Sequence, residues 1–158
     1  GLRGKAEGHL TLCTQAGYDL RITQSWRSDA LQDVLWMQGR YPLAAVNAMR
    51  AALGLGEIDE KTNQQSVTHA PPGSSFHNFI PAFAYDLCFT GPDPYNERET
   101  HGSFEATWEK IGELGESVGL EWGGRWQAKK KDRPHFQWSG GLTLAELREG
   151  KRPPSAEV

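Results

Sequence analysis

Apolar residues recur at helical spacing in four stretches of the chain, which predicts four amphipathic helices. These helices are expected over residues 2–16, 29–38, 41–53 and 103–117. Gly17 and Gly39 follow the first two and are typical C-terminal stops, and Ser28 is a suitable N-cap for the second. A fifth, shorter helix is predicted after Thr143, because Thr143 and Glu146 have the spacing of a capping box.

Three other stretches have the composition of β-strands. Residues 19–24 alternate in polarity and contain β-forming side chains. Residues 82–90 give the strongest strand prediction, because they are aromatic-rich, nearly continuously apolar and closed by Gly91 and Pro92. The segment 132–137 is expected to be the entry to a short third strand that contains His135, since Pro134 pushes the preceding residue toward extended geometry.

The remaining segments are predicted to be loops and turns. Residues 54–68 are polar with spaced glycines, which indicates a long loop, and residues 121–126 indicate a glycine-centred turn flanked by tryptophans. Helices and strands do not alternate regularly, which favours an α+β fold. We expect one domain over residues 1–150, followed by a flexible C-terminal tail over residues 151–158.

The composition is that of a globular protein, because 37% of the 158 residues are hydrophobic and 23% are charged. The net charge of −3 provides no basic field for nucleic acid. No apolar run reaches the roughly 20 residues of a transmembrane helix, and the first residues do not form a signal peptide, so no membrane contact is expected. Cys13 and Cys88 lie in apolar patterns and are expected to be buried free thiols.

The candidate chemistry begins with the segment DRPHFQ, in which Asp132 precedes His135 by three residues. This spacing suits a metalloenzyme whose imidazole binds the metal while the carboxylate handles the proton of the catalytic water. A single such pair is a weak signal, because His135 could equally be a hydrogen-bonded histidine of the core. Other ligands must therefore come from elsewhere in the chain.

His77 and Asp86 are the candidates for those ligands. A charged Asp86 inside an apolar strand is costly unless a cation accompanies it. A salt bridge to an arginine would satisfy Asp86, and capping of a turn would explain His77. A catalytic zinc site uses three ligands drawn from His, Asp and Glu, so these two residues together with His135 favour a metal.

Several motifs occur here in an order that resembles the M15 family of zinc peptidases, which share a fold with hedgehog and the D-Ala-D-Ala peptidases. The metal motifs are Ser75-x-His77, Ala84-x-Asp86 and Asp132-x-Pro134-His135-Phe136. The segments ITQSWRS (22–28), QGR (38–40) and LEWGGRW (120–126) are similar to the branch of L-alanyl-D-glutamate endopeptidases, which includes phage endolysins and bacterial wall-remodelling enzymes. The resemblance extends from about residue 10 to about residue 150.

The resemblance implies a small antiparallel sheet with flanking helices, as a single domain. It also implies a zinc ion held by His77, Asp86 and His135. Asp132 would act as general base, accepting a proton from the attacking water and passing it to the leaving amine. Arg27 would stabilise the oxyanion or hold a substrate carbonyl or carboxylate, and Ser75 would hydrogen-bond substrate or orient the site.

Two positions depart from the family pattern. Asp86 follows His77 by nine positions, two more than in the commonest pattern, SxHxxGxAxD, so the additional residues would bulge out before the strand. Asp93 is the alternative ligand if Asp86 does not reach the metal. Arg125 stands where an aspartate is common in the family, which leaves the role of this position open.

Several other residues allow two interpretations. Glu121 is the alternative general base, although the local offset from His135 favours Asp132. The basic residues 129–131 predict a solvated loop that could also attract anionic wall polymers. His69 and His101 are interpreted as surface or loop histidines, with His69 nearer the cleft. Four tryptophans are expected to pack in the core, with a stacking wall for substrate as the second interpretation: Trp26, Trp122, Trp126 and Trp138.

The predicted function is that of a monomeric zinc peptidase that cuts peptidoglycan stem peptides at the L-alanyl-D-glutamate bond, as an endolysin or a wall-remodelling enzyme. A D-Ala-D-Ala carboxypeptidase or dipeptidase is the alternative enzyme, and a non-catalytic, hedgehog-like zinc module is the alternative outside catalysis. Such an enzyme would act on the cell wall. Phage lysis machinery or unconventional export would carry it there from the host cytoplasm.

Overall fold

Four short strands form one antiparallel sheet in the order β1-β2-β4-β3. The strands are β1 (Leu20–Gln24), β2 (Ala84–Phe89), β3 (Glu121–Trp122) and β4 (His135–Gln137). The helices of this computed structural model are α1 (Leu2–Gln15), α2 (Asp29–Met37), α3 (Leu43–Ala52), α4 (Glu60–Asn63), α5 (Phe104–Ser117) and α6 (Leu144–Arg148). The structure describes residues 1–96 and 103–154. The predicted α+β fold with a small antiparallel sheet is confirmed.

Two elements were not predicted. α4 lies inside the stretch expected to be a loop, and it forms because the Asp59 side chain accepts a hydrogen bond from the Thr62 backbone at 2.7 Å. The expected turn at residues 121–126 contains the two-residue strand β3, followed by a 3₁₀ turn over Gly123–Arg125. Residues 155–158 of the predicted tail lie outside the described residues. So do residues 97–102, which include His101.

α1 and α5 cover one face of the sheet, and the main hydrophobic core lies between them and the strands. The alternation of β2 divides its side chains, so that Tyr85, Leu87 and Phe89 enter this core while Asp86 points to the other face. Cys13 is also buried in the core, and both cysteines are buried free thiols as expected. Among the described residues, no helix has both the length and the apolar character needed to cross a bilayer.

α5 lies very close to the sheet because it carries glycines where it meets aromatic rings. A Cβ atom on Gly112 would come within 2.3 Å of the Trp122 ring, and one on Gly115 within 2.6 Å of Phe136. Such distances are far inside van der Waals contact, so neither glycine can be replaced without moving the ring beneath it. The short strands β3 and β4 are therefore held by direct contact of their aromatic side chains with the backbone of α5.

The face of the sheet opposite the core carries a row of polar side chains. Directly paired residues share a face, and Asp86 of β2 pairs with His135 of β4. A bulge in β1 between Ile22 and Gln24 shifts the register, so that Gln24 pairs with Asp86 rather than with Tyr85. The bulge thus moves the Gln24 side chain from the core face to the face of Asp86 and His135.

Candidate metal centre

His77 lies in a 3₁₀ turn, Phe76–Asn78, whose N-terminus is capped by Ser75. The Ser75 hydroxyl accepts a hydrogen bond from the His77 backbone at 3.2 Å, and the Ser75 backbone donates to the Asn78 side chain at 3.1 Å. The His77 ring is buried and its Nδ1 donates to the backbone carbonyl of Ser25 at 2.6 Å. Because a carbonyl can only accept, the proton is on Nδ1 and the lone pair is on Nε2.

His135 begins β4 and presents its other ring nitrogen to the same point. Its Nε2 lies 2.8 Å from Oε1 of Gln137, whose amide nitrogen donates to Glu121 at 3.1 Å. The Gln137 oxygen therefore accepts from Nε2, and Nδ1 of His135 keeps the lone pair. Nδ1 of His135 and Nε2 of His77 are 3.2 Å apart. With both protons engaged elsewhere, two lone pairs face each other.

Asp86 completes the group. Its Oδ2 lies 3.4 Å from Nε2 of His77, and its Oδ1 lies 3.3 Å from Nδ1 of His135. Oδ1 is buried and receives no hydrogen bond despite this approach. Burial raises the pKa of Asp86, but the two adjacent histidines outweigh it and the net pKa lies well below its ordinary value. Asp86 therefore remains ionised.

These three side chains have the donor set of a catalytic metal site. One ligand atom from each lies within 4.8 Å of the others. Two imidazole lone pairs and a carboxylate converge on one point, and an unpaired buried carboxylate oxygen has a high free-energy cost. A divalent cation there would satisfy all three groups at once, and two nitrogens with one oxygen fit zinc.

Arg27 lies beside Asp86 and is fixed by the neighbouring glutamines. Its guanidinium is 3.8 Å from Oδ2 of Asp86, and its side chain is only 11% exposed. Nε and Nη2 donate to Gln24, and Nη1 donates to Gln32 at 2.8 Å. Three of its five N–H groups are used in this way, so one hydrogen on each terminal nitrogen remains for another partner.

Asp132 lies at the start of the turn that leads into β4. Its backbone N–H donates to the carbonyl of Gly123 at 3.0 Å, and its own carbonyl accepts from His135 at 3.3 Å. A Cβ atom on Gly123 would lie 2.4 Å from the Asp132 carbonyl oxygen, so only glycine permits this contact. Asp132 reaches solvent in the cleft, yet partial desolvation by the surrounding protein raises its pKa above the ordinary value for aspartate.

The group lies at the bottom of a polar cleft with a volume of about 520 Å³. Its walls include Arg27, Ser75, Asp132 and the three lysines Lys129, Lys130 and Lys131. A larger and more apolar groove of about 790 Å³ lies elsewhere, against the start of α1 and Trp138. The polar cleft is the candidate functional site, because it holds the convergent ligand atoms and the larger groove lacks them.

The structure also shows where the residues lie for which the sequence allows two interpretations. His69 lines the cleft and donates to the carbonyl of Lys129 at 3.0 Å. Asp93 is buried in the loop after β2 and is not part of the three-residue group. Arg125 binds Glu109 at 2.5 Å and Glu116 at 2.9 Å on the exposed side of α5. It is not among the residues that line the cleft.

The segment between His77 and Asp86, which is two residues longer than the common family pattern, contains a small closed loop. The Phe83 backbone donates to the carbonyl of Phe76 at 2.9 Å, so the loop ends where it began. Ile80 lies on its outer side and is 75% exposed. The extra length is therefore accommodated outside the site, and Asp86 still reaches His77.

Gln137 and Gln24 were not singled out from the sequence, although both position site residues. Gln137 follows His135 by two positions in a strand, so the period of two places both side chains on one face. That signal was present in the segment HFQ. Gln24 carried no comparable signal, because a bulge that cannot be read from the sequence determines its face.

Comparisons with known proteins agree with this geometry. A family model described as D-alanyl-D-alanine carboxypeptidase, Peptidase_M15_4, matches residues 68–138, which contain all three ligand candidates and Asp132. The chain is 28% identical over 125 residues to the peptidoglycan L-alanyl-D-glutamate endopeptidase CwlK of Bacillus subtilis (strain 168). This match covers 77% of the chain and 61% of CwlK, so the chain spans about three fifths of that relative's length.

Solved structures share the fold at low sequence identity. VanYB in complex with D-alanine-D-alanine has a TM-score of 0.53 at 12% identity, and the match covers 96% of this chain and 76% of the VanYB chain. The D,D-pentapeptidase VanY in complex with Zn(II) has the same TM-score and identity, over 93% and 75%. The LD-carboxypeptidase LdcB has a TM-score of 0.52 at 15% identity, over 95% and 63%. Over residues 68–138 the chain therefore resembles the M15 family of peptidases, and it shares its fold with VanYB, VanY and LdcB.

Proposed function

We propose that this protein is a zinc-dependent peptidase that hydrolyses stem peptides of peptidoglycan. The observation that carries the proposal is the convergence of two imidazole lone pairs and the ionised Asp86 at the bottom of a polar cleft. A carboxylate and a guanidinium, from Asp132 and Arg27, line the same cleft. This is the set of groups that metal-assisted hydrolysis of an amide requires.

In this proposal the ligands are His77 through Nε2, His135 through Nδ1 and Asp86 through its carboxylate. Zinc in such a site acts as a Lewis acid and makes a bound water far more acidic. The chain's own contribution is to hold three ligands rigidly while leaving one side open to the cleft. His77 is held by the Ser25 carbonyl, and His135 is held by Gln137.

Asp132 is the proposed general base. Its carboxyl lies in the cleft, and its raised pKa makes it a better proton acceptor than an ordinary aspartate. It takes the proton from the attacking water and delivers it to the nitrogen of the leaving amine. The contact with Gly123 fixes the backbone from which this side chain extends.

Arg27 is proposed to bind the developing oxyanion or a carboxylate of the substrate. Its two remaining N–H groups are pre-oriented, because Gln24 and Gln32 hold the guanidinium in place. A fixed donor costs little reorganisation when charge develops in the transition state. Ser75 borders the same cleft, and its hydroxyl hydrogen is free to donate to substrate while its oxygen caps the turn.

The bond proposed to be cut is the one between L-alanine and D-glutamate. The match to CwlK supports this assignment, because that relative is a peptidoglycan L-alanyl-D-glutamate endopeptidase. A D-Ala-D-Ala carboxypeptidase is the second candidate. It is favoured by the description of the matching family model and by the fold of VanYB, which binds D-alanine-D-alanine.

Mass spectrometry of the products released from purified peptidoglycan by the zinc-loaded protein tests the proposal. New D-glutamyl N-termini would support the endopeptidase, whereas release of D-alanine would support the carboxypeptidase. Asp132→Asn should keep zinc and lose about 10²–10⁴-fold in turnover, the range typical of a general base. Asp59→Asn is the matched control, because it lies outside the cleft and asparagine also caps a helix. Full turnover in Asp132→Asn would contradict the assigned base.

A further inference from the structure

A directed chain of hydrogen bonds extends away from His135 on the site face of the sheet. The His135 Nε2 donates to Oε1 of Gln137 at 2.8 Å, and the Gln137 amide nitrogen donates to Oε2 of Glu121 at 3.1 Å. The other oxygen of Glu121 accepts from Nε1 of Trp126 at 3.1 Å. Both oxygens of Glu121 are thus used, and every bond points toward its carboxylate.

The carboxylate determines the direction of the whole chain. Both oxygens of Glu121 accept, so Gln137 turns its NH₂ group toward Glu121 and its oxygen toward His135. That oxygen can also only accept, so the imidazole must carry its proton on Nε2. The lone pair of His135 is then on Nδ1, which faces His77 and Asp86.

The sheet register and packing keep these groups in place. Glu121 of β3 pairs directly with Gln137 of β4, so their side chains are neighbours on one face. Gln137 is only 7% exposed, which limits the access of water to its amide. The Trp126 ring lies with its centre 5.0 Å from that of His135, closing the same region from the cleft side.

We propose that Glu121 is a positioning residue for the metal centre. Acting through Gln137, it selects the Nε2-protonated form of His135 and thereby makes Nδ1 available to zinc. This role rests on the proposed ligand assignment of His135 and extends it to a residue that does not touch the metal. It also replaces the alternative in which Glu121 is the general base.

The substitution Glu121→Gln tests the proposal with almost no change in shape. A glutamine at position 121 can both donate and accept, so the Gln137 amide can turn either its oxygen or its NH₂ group toward position 121. We expect zinc affinity to fall about 10–100-fold, the range typical for loss of an outer-shell partner of a metal ligand. Competition with a chromophoric zinc chelator measures this affinity without reference to hydrolysis. Glu113→Gln, an exposed position on α5, is the matched control and should bind zinc as the wild type does.

The reciprocal double variant Glu121→Gln/Gln137→Glu tests whether zinc affinity depends on a fixed hydrogen-bond acceptor beside His135 Nε2. It keeps the bond from His135, because the new carboxylate at position 137 can only accept, and it reverses only the bond between positions 121 and 137, in which the new glutamine donates. We expect this double variant to recover zinc affinity to within about threefold of the wild type. Gln137→Glu alone still offers an acceptor to His135, but its two opposed carboxylates repel each other and should displace that acceptor, so its zinc affinity should lie below that of the double variant.

Nitrogen NMR of His135 in the metal-free protein at alkaline pH gives a readout that is independent of zinc. The wild type should show the proton on Nε2, and Glu121→Gln should show a mixture of both tautomers. Unchanged zinc affinity in Glu121→Gln, or a double variant no better than the single ones, would overturn the proposal. So would a loss of hydrolysis in Glu121→Gln that excess zinc does not recover, because that behaviour belongs to a general base. A wild type with the expected tautomer and no zinc binding would instead contradict the ligand assignment, and this proposal with it.

Discussion

The two histidines of the candidate metal centre are held in different ways. His77 lies on a 3₁₀ turn and gives its second ring proton to a backbone carbonyl, that of Ser25. His135 lies in a strand and gives its second ring proton to a side chain, that of Gln137. A carbonyl can only accept, whereas an amide side chain can rotate and offer either its oxygen or its nitrogen. The support of His77 is therefore intrinsic to the fold, and the support of His135 depends on which residues occupy two other positions.

The largest expected loss of zinc affinity follows from removing the imidazole rings themselves. His77→Ala and His135→Ala should each weaken zinc binding by more than ~100-fold, beyond the range typical of outer-shell residues, because each deletes a ligand. Metal analysis after dialysis against a weak chelator measures the loss. His69→Ala is the control, since His69 lines the cleft without belonging to the ligand group, and it should retain zinc. Equal zinc content in all three variants would sink the assigned centre.

The pH dependence of zinc affinity is expected to reflect the protonation of His135. Burial lowers the pKa of this imidazole, but the adjacent Asp86 and the nearby Asp132 outweigh it, so its pKa in the metal-free protein is raised. A group with a raised pKa holds its proton to higher pH, and that proton must leave before Nδ1 can bind zinc. We therefore expect apparent affinity to fall about tenfold per pH unit as pH drops below the His135 pKa. The chelator competition repeated across neutral and acidic pH measures it, and a flat profile would contradict the expectation.

The smallest expected effect lies on the side of His77. Ser75→Ala removes the hydroxyl that accepts from the His77 backbone, a capping bond worth about 1 kcal/mol. Because the Ser25 carbonyl still fixes the ring, zinc affinity should fall only about fivefold, the equivalent of that energy. Ser74→Ala is the matched control, as Ser74 lines the same cleft without capping the turn. A loss in Ser75→Ala as large as that of Glu121→Gln would show that the two supports are equally fragile.

The sequence was sufficient to predict those parts of the site that depend on single residues in strong local patterns. Asp86 was conspicuous because a charge in an apolar strand needs a partner, and the structure brings it to His77 and His135. The helices α1, α2, α3 and α5 were predicted from apolar spacing, with ends within about two residues of those observed.

What the sequence could not provide were the properties that arise from pairing distant strands. The position of Gln24 depends on a bulge against β2, and the partnership of Glu121 with Gln137 depends on the register of β3 against β4. β3 itself was missed because two residues are too few for any periodicity. Its existence depends on long-range contacts with Phe136 and α5, which no local pattern records.

The carbonyl of Gly123 has a consequence for how this fold can vary. It accepts the backbone N–H groups of both Trp126 and Asp132, at 3.2 Å and 3.0 Å. The five intervening residues, 127–131, therefore leave and return to the same atom, and they carry the three lysines of the cleft wall. A segment tied at its base in this way can change in length and charge while its anchors stay in place. This wall of the cleft is thus separable from Asp132, so its length and charge can change without rebuilding the candidate metal centre.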